Sequence, residues 1–185
     1  MTNYYQIAWA APPNPADITT AQIAAHMGVT QGALFRHFPD KQAVWLAVMD
    51  WTSDTLLARI DGVAGATPTD RLQAIFVAHI DFVVEHVGVP RILFGELQRD
   101  ADAPGKAKVR ALMSGYRSRV LGLLELAKAQ GQIDENADCA AAATMFLGMV
   151  QGLVMQAMAA DDFTNMSAIS SRLFEVFLNG LRGTT

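Results

Sequence analysis

Asp138 and Asp161 bracket a stretch without a single charge, and its core, "AAAATMFLGMVQGLVMQAMAA" from Ala140 to Ala160, limits what the chain can become. An apolar helix of this length either crosses a bilayer, which takes about 20 residues, or is covered by other helices. Gln151, Gln156, the many alanines and the flanking acids Asp138, Asp161 and Asp162, with no Lys or Arg at either edge, argue against a span. The expected state is a helix buried on nearly all sides, which in a chain of 185 residues points to a subunit interface. Gly148 and Gly152 form G-x-x-x-G within it, and small residues at that spacing let two helices approach closely. With Ile169, Leu173 and Phe177 from the last helix they make the expected dimer interface; ordinary packing within one chain is the alternative.

The rest of the sequence is helical in pattern too. Val and Ile recur at helical spacing, and alternation of the strand kind is nearly absent. Helices are expected from Ala21 to Met27 behind a Thr20 cap, from Gln31 to His37 behind Thr30, and from Lys41 to about Ile60 behind Asp40. "DGVAGATPTD" reads as a linker. Further helices are expected over Pro68 to Val87, Arg91 to Gln98, Lys106 to Gln130, Ala137 to Ala160 and Met166 to Leu181. Gly88 and Pro90 are expected to separate the first two of these. The predicted fold is all-α, with a head over residues 1–45 and a helical body over residues 46–185.

Within the head, "TTAQIAAHMGVTQGALFRHFPDK" places two short helices around Gly28, with Ile23, Ala24, Met27, Val29, Leu34 and Phe38 available for a shared core. That is the pattern of a helix-turn-helix; a helical hairpin inside a core would look the same. If it binds DNA, the second helix lies in the major groove. Gln31 can then pair with adenine, Arg36 with guanine, and Ala33 can meet a thymine methyl. Gly32 admits a phosphate close to the backbone. Thr20 and Thr30 offer hydroxyls to phosphates, and Lys41 adds a positive charge.

The longer string "ITTAQIAAHMGVTQGALFRHFPDKQAVWLAVMD", Ile18 to Asp50, resembles the DNA-binding domain of the tetracycline-repressor (TetR) family of bacterial regulators. The run G-V-T-x-G-x-L-F-x-H-F-x-x-K carries the resemblance. It implies a homodimeric transcriptional regulator, usually a repressor, that leaves its double-stranded DNA operator when a small-molecule effector binds; separately, the single Cys139 excludes an internal disulfide and fits a reducing cytoplasm. By position it assigns DNA contacts to Thr20, Thr30, Gln31, Gly32, Phe35, His37 and Lys41, with Arg36 at a variable, specificity-setting place. A tyrosine is commoner in the family where Phe35 stands. The family also implies a body whose last two helices pair as a four-helix bundle.

The N-terminus departs from that pattern. The family opens with a basic arm and a helix of about 15 residues, whereas only "TNYYQIAWAA" precedes Pro12, room for about two and a half turns. Ile7, Ala10 and Ala11 could still pack on Ile23 and Leu34. No Lys or Arg precedes Arg36, and Arg36 and Lys41 only balance Asp17 and Asp40. Phosphate neutralisation supplies most DNA affinity, so weak, salt-sensitive binding is expected. Additional upstream sequence and a natural variant of reduced affinity would each account for this. The alternative function is a helical ligand-binding or dimerisation protein whose DNA binding is weakened or lost.

The body is rich in Phe and Met, as an apolar small-molecule site requires. The candidate lining is Phe76, His79, Phe82, Phe94, Met113, Tyr116, Met145 and Phe146, with His79 and Tyr116 as polar handles; a plain core is the competing reading. His79 and His86 lie about 10 Å apart along a helix and cannot share one metal ion, and Cys139 completes no site. No metal and no cofactor is expected. The basic run Lys106, Lys108, Arg110, Arg117 and Arg119 could bind an anion or simply be a solvated face. The sequence has no secretory signal pattern. It has no G-x-G-x-x-G, no P-loop, no H-E-x-x-H and no G-x-S-x-G, so no enzyme is expected.

Overall fold

The computed structural model describes residues 18–183. They form eight helices and no strand: α1 Thr20–His26, α2 Gln31–His37, α3 Lys41–Gly62, α4 Pro68–Glu85, α5 Gly88–Leu97, α6 Pro104–Ala129, α7 Cys139–Ala160 and α8 Met166–Leu181. The all-α expectation holds. Ile7, Ala10 and Ala11, expected to pack on the head, lie outside the described residues.

Local chemistry sets the helix ends. Thr19, not Thr20, caps α1: its hydroxyl accepts from the Gln22 amide at 3.2 Å, while its own amide donates to Gln22 Oε1 at 2.8 Å. This reciprocal capping box is why the helix starts one residue early. Gly28 then takes φ +66°, the left-handed conformation that ends a helix without Cβ strain. Thr30 caps α2 through the Ala33 amide at 3.1 Å. Helix α5 begins at Gly88, earlier than expected, with Pro90 inside its first turn. A proline there loses nothing, since first-turn amides have no partner within the helix. Pro104 opens α6 for the same reason.

The residues group into two compact units. One takes residues 18–55 and 86–112, and the other takes 56–85 and 113–183. In the first, α1 and α2 pack together, with Ile23, Ala24, Leu34 and Phe38 buried. Met27 is only half-buried. Val29, expected in this core, is 39% exposed, because the left-handed turn at Gly28 swings it outward. His86 meets Trp51 edge-on at 5.1 Å.

In the second unit α4, α7 and α8 pack on one another. Its centre is aromatic. Phe146 meets Phe76 at 5.4 Å and Phe177 at 5.9 Å, both nearly edge-on, and Phe174 lies 5.8 Å from Phe177. Edge-on pairs of this kind add about 0.5–1.5 kcal/mol beyond the area they bury. Two bidentate ion pairs hold helix surfaces in the same unit. Arg59 meets Glu85 at 2.7 and 2.9 Å, and Arg119 meets Asp61 at 2.7 and 2.8 Å.

Helix α7 is long and apolar enough to cross a membrane by length and composition. One stripe of it is core: Cys139, Ala142, Ala143, Phe146, Val150, Leu153, Val154 and Ala157 are buried at helical spacing. Its other side, including Met145 and Met155, is open within the protomer.

Candidate functional site

Helix α2 divides cleanly. Leu34 is buried, and the Phe38 that follows the helix is buried with it. Gln31, Gly32, Phe35, Arg36 and His37 are exposed, and Ala33 is half-buried. Phe35 is 43% exposed, which is large for a phenyl ring on a seven-residue helix. A Cβ on Gly32 would meet nothing within 4 Å. The fold therefore does not demand a glycine there, and the space beside its backbone is open. The Thr30 hydroxyl oxygen accepts from the Ala33 amide, and the Thr20 hydroxyl oxygen accepts from Gln31 Nε2 at 2.8 Å. Lys41 opens α3 at the edge of this surface, half-buried. The structure thus brings Thr20, Thr30, Gln31, Gly32, Ala33, Phe35, Arg36, His37 and Lys41 into one unit, most of them on its outside.

The candidate ligand residues divide differently. Phe76, Phe82, Tyr116 and Phe146 are all buried in the second unit. His79 Nδ1 lies 3.1 Å from the Tyr116 hydroxyl, so each satisfies the other. Desolvation lowers the His79 pKa to about 4 although the residue as a whole is half-buried, and burial pushes the Tyr116 phenol upward. The imidazole is therefore neutral near pH 7. Met113 is half-buried. Phe94 belongs to the first unit. Met145 is 54% exposed, because it sits one residue from Phe146 and so about 100° around the helix from the buried stripe.

Of the residues expected to pair two subunits, Gly148 and Ile169 are exposed and Gly152 and Leu173 half-buried. Phe177 is instead turned inward among Phe146 and Phe174, at the centre of its own protomer. Val176 takes its place outside, 68% exposed. The basic run of α6 is drawn onto the chain's own oxygens. Lys108 pairs with Asp50 and Arg119 with Asp61, while Lys106, Arg110 and Arg117 donate to the carbonyls of Arg99, Ala101 and Ala140. That arrangement favours the reading as an ordinary helix face. Among the described residues no cluster of His, Cys, Asp or Glu could hold a metal ion.

Residues 15–48 match the family described as bacterial regulatory proteins, tetR family, and residues 65–155 match the tetracyclin repressor-like C-terminal domain. The chain belongs to the tetR family. It is a transcriptional regulator with a helix-turn-helix head and a ligand-binding C-terminal domain. Curated relatives of this tetR-family chain include the nucleoid occlusion factor SlmA of Idiomarina loihiensis, 27% identical over 75% of this chain and 72% of the relative. SlmA of Haemophilus influenzae is 28% identical over 85% of this chain and 72% of the relative. The fold is shared with the tetR-family regulator PfmR of Thermus thermophilus (TM-score 0.77, 17% identity, 98% of this chain and 95% of that one). It is shared also with FadR of Bacillus subtilis, solved with stearoyl-CoA (TM-score 0.73, 20% identity, 96% and 99%).

Two features of this tetR-family protein escaped the sequence reading. The Thr20–Gln31 hydrogen bond joins residues eleven apart through a turn, and no local pattern announces it. The Met145, Met155 and Val176 face was legible in principle, since each continues a helical stripe that holds Gly148, Gly152 or Ile169.

Proposed function

We propose that this tetR-family protein is a homodimeric repressor that grips operator DNA through α2 and releases it when an apolar or amphipathic small molecule enters the body. The observation that carries the DNA reading is the division of α2: Leu34 anchors it, while Gln31, Gly32, Phe35, Arg36 and His37 are presented outward. These are residue types that meet base edges and phosphates.

Pairing is supported by an uncovered stripe. Met145, Gly148 and Met155 of α7 and Ile169 and Val176 of α8 are exposed. A Cβ on Gly148 or Gly152 would meet nothing within 4 Å, so packing inside one protomer does not explain either glycine. A two-fold pairing would set two recognition helices about 34 Å apart, one turn of DNA.

The proposed effector class is supported by an aromatic cluster, Phe76 on Phe146 and Phe146 on Tyr116, with one polar pair beside it, Tyr116 and His79, that can exchange partners. The stearoyl-CoA of the FadR structure is a ligand of that amphipathic class. Ligand that prefers one arrangement of the heads shifts the population toward it and loosens the operator.

Fluorescence anisotropy on DNA upstream of the protein's own gene, at low and moderate salt, tests the reading. Wild type should bind, and Arg36→Ala should weaken binding by about five- to a hundredfold, the range for one bidentate base contact. Equal binding by both proteins, or none by either, would remove it. In the second case the helical ligand-binding or dimerisation module becomes the better account, a reading favoured by the low positive charge of the head.

A further inference from the structure

Gln31 and Thr20 are bound to each other before any DNA arrives. Gln31 Nε2 donates to Thr20 Oγ1 at 2.8 Å, tying the first residue of α2 to the first residue of α1. Gln31 is exposed and Thr20 half-buried. An exposed glutamine ordinarily samples many rotamers, and fixing one on binding costs affinity. Here a hydrogen bond to the first helix favours one rotamer in advance.

The bond also decides what the amide has left to offer. A carboxamide has two N–H donors and one oxygen acceptor. With one N–H committed to Thr20, a single donor and Oε1 remain. One donor with one acceptor is the complement of adenine N7 and N6–H₂ in the major groove. On the other side of the bond, the Thr20 oxygen acts as acceptor and its own O–H proton remains a donor for a phosphate oxygen.

We infer that Thr20 is a specificity-determining residue that touches no base: it aims the Gln31 amide at one base pair and couples that aim to a phosphate contact of its own. The inference rests on the proposal that α2 reads DNA. It separates from a simpler role for Thr20 in one respect. A hydroxyl that only holds phosphate weakens every sequence alike. A hydroxyl that aims Gln31 changes which base is preferred.

The test is selection of sites from a random double-stranded DNA pool by the full chain, followed by anisotropy on the selected site and on each single base-pair change. Wild type should discriminate on the order of tenfold at one adenine-containing pair in each half-site. Gln31→Leu and Thr20→Val should both lose discrimination at that pair, and Thr20→Ser should keep it. If Thr20→Val keeps the wild-type preference and binds all sites more weakly by one common factor, the inference is overturned while the DNA reading stands. If wild type selects no sequence, both fall. A second measurement needs no variant. In the free protein the Gln31 side-chain amide protons should show nuclear Overhauser contact with the Thr20 methyl group, and its absence would also overturn the inference.

Discussion

His79 Nδ1 and the Tyr116 hydroxyl stand 3.1 Å apart in the body, the polar pair beside the aromatic cluster of Phe76, Phe146, Phe174 and Phe177. Each ring gives the other a hydrogen-bond partner where water is scarce, and neither carries charge at neutral pH.

That pair makes stability depend on pH. His79 titrates near 4 in the folded protein, against 6.5 for an ordinary histidine. Between those values the unfolded chain holds a proton that the folded chain refuses, so stability is complete above about pH 6.5 and falls as pH drops toward 4. Between pH 7 and 5 the loss should be roughly 1–2 kcal/mol, the upper figure being reduced because the residue is half-buried. Thermal unfolding followed across that range should show the loss in wild type and much less of it in His79→Gln. Parallel curves would remove His79 as the cause.

Phe146 touches Phe76, Phe174, Phe177 and Tyr116 at ring separations of 5.4 to 6.3 Å and has no exposed surface. Phe146→Ala leaves a cavity that no neighbour can close, and such changes cost about 3–5 kcal/mol. Urea denaturation should show an unfolding free energy lowered by that amount, read as a lower midpoint at unchanged slope. A loss under about 1 kcal/mol would mean that the body collapses around the gap.

Val176 gives a test of pairing that spares the fold. It is 68% exposed, so Val176→Glu should leave the protomer's helicity intact and drive sedimentation from dimer to monomer. An unchanged mass for the variant, or a monomeric wild type, would count against the α7–α8 interface.

Phe35 presents an exposed ring where tyrosine is commoner in the family. Phe35→Tyr adds a hydroxyl without moving the helix, and one new hydrogen bond to a charged phosphate is worth about 1.5–3 kcal/mol. The expected outcome is operator affinity raised by roughly ten- to a hundredfold, with base preference unaltered. No gain in anisotropy titrations would place the ring away from the phosphates.

What could be read from the sequence depended on whether a signal was local. The helix-turn-helix was legible because caps and a left-handed glycine act within three or four residues: Thr30 reaches Ala33, and Gly28 ends α1 by itself. Long apolar stripes were legible as helices for the same reason. The direction a stripe faces was harder. Phe177 and Val176 are neighbours in sequence, and only the packing of Phe146 and Phe174 decides which turns inward. Met145 and Phe146 pose the same problem on α7. Contacts between distant residues were beyond reach altogether. Nothing near Thr20 indicates Gln31, and nothing near Lys108 or Arg119 indicates Asp50 or Asp61, each separated from its partner by 58 residues.

Those last two pairs bear on how the protein reaches DNA. Lys108 and Arg119 spend their charge on Asp50 and Asp61, and the whole chain carries a formal net charge of −4. An acidic body meeting a polyanion gains no long-range attraction; the few cations of the head act only within about a Debye length, ~8 Å at physiological ionic strength. Arrival is then an unassisted diffusional search, at rates nearer 10⁵–10⁶ M⁻¹s⁻¹ than the steered limit. Added salt has little attraction to screen on approach, so it works mainly by shortening the time each complex lasts.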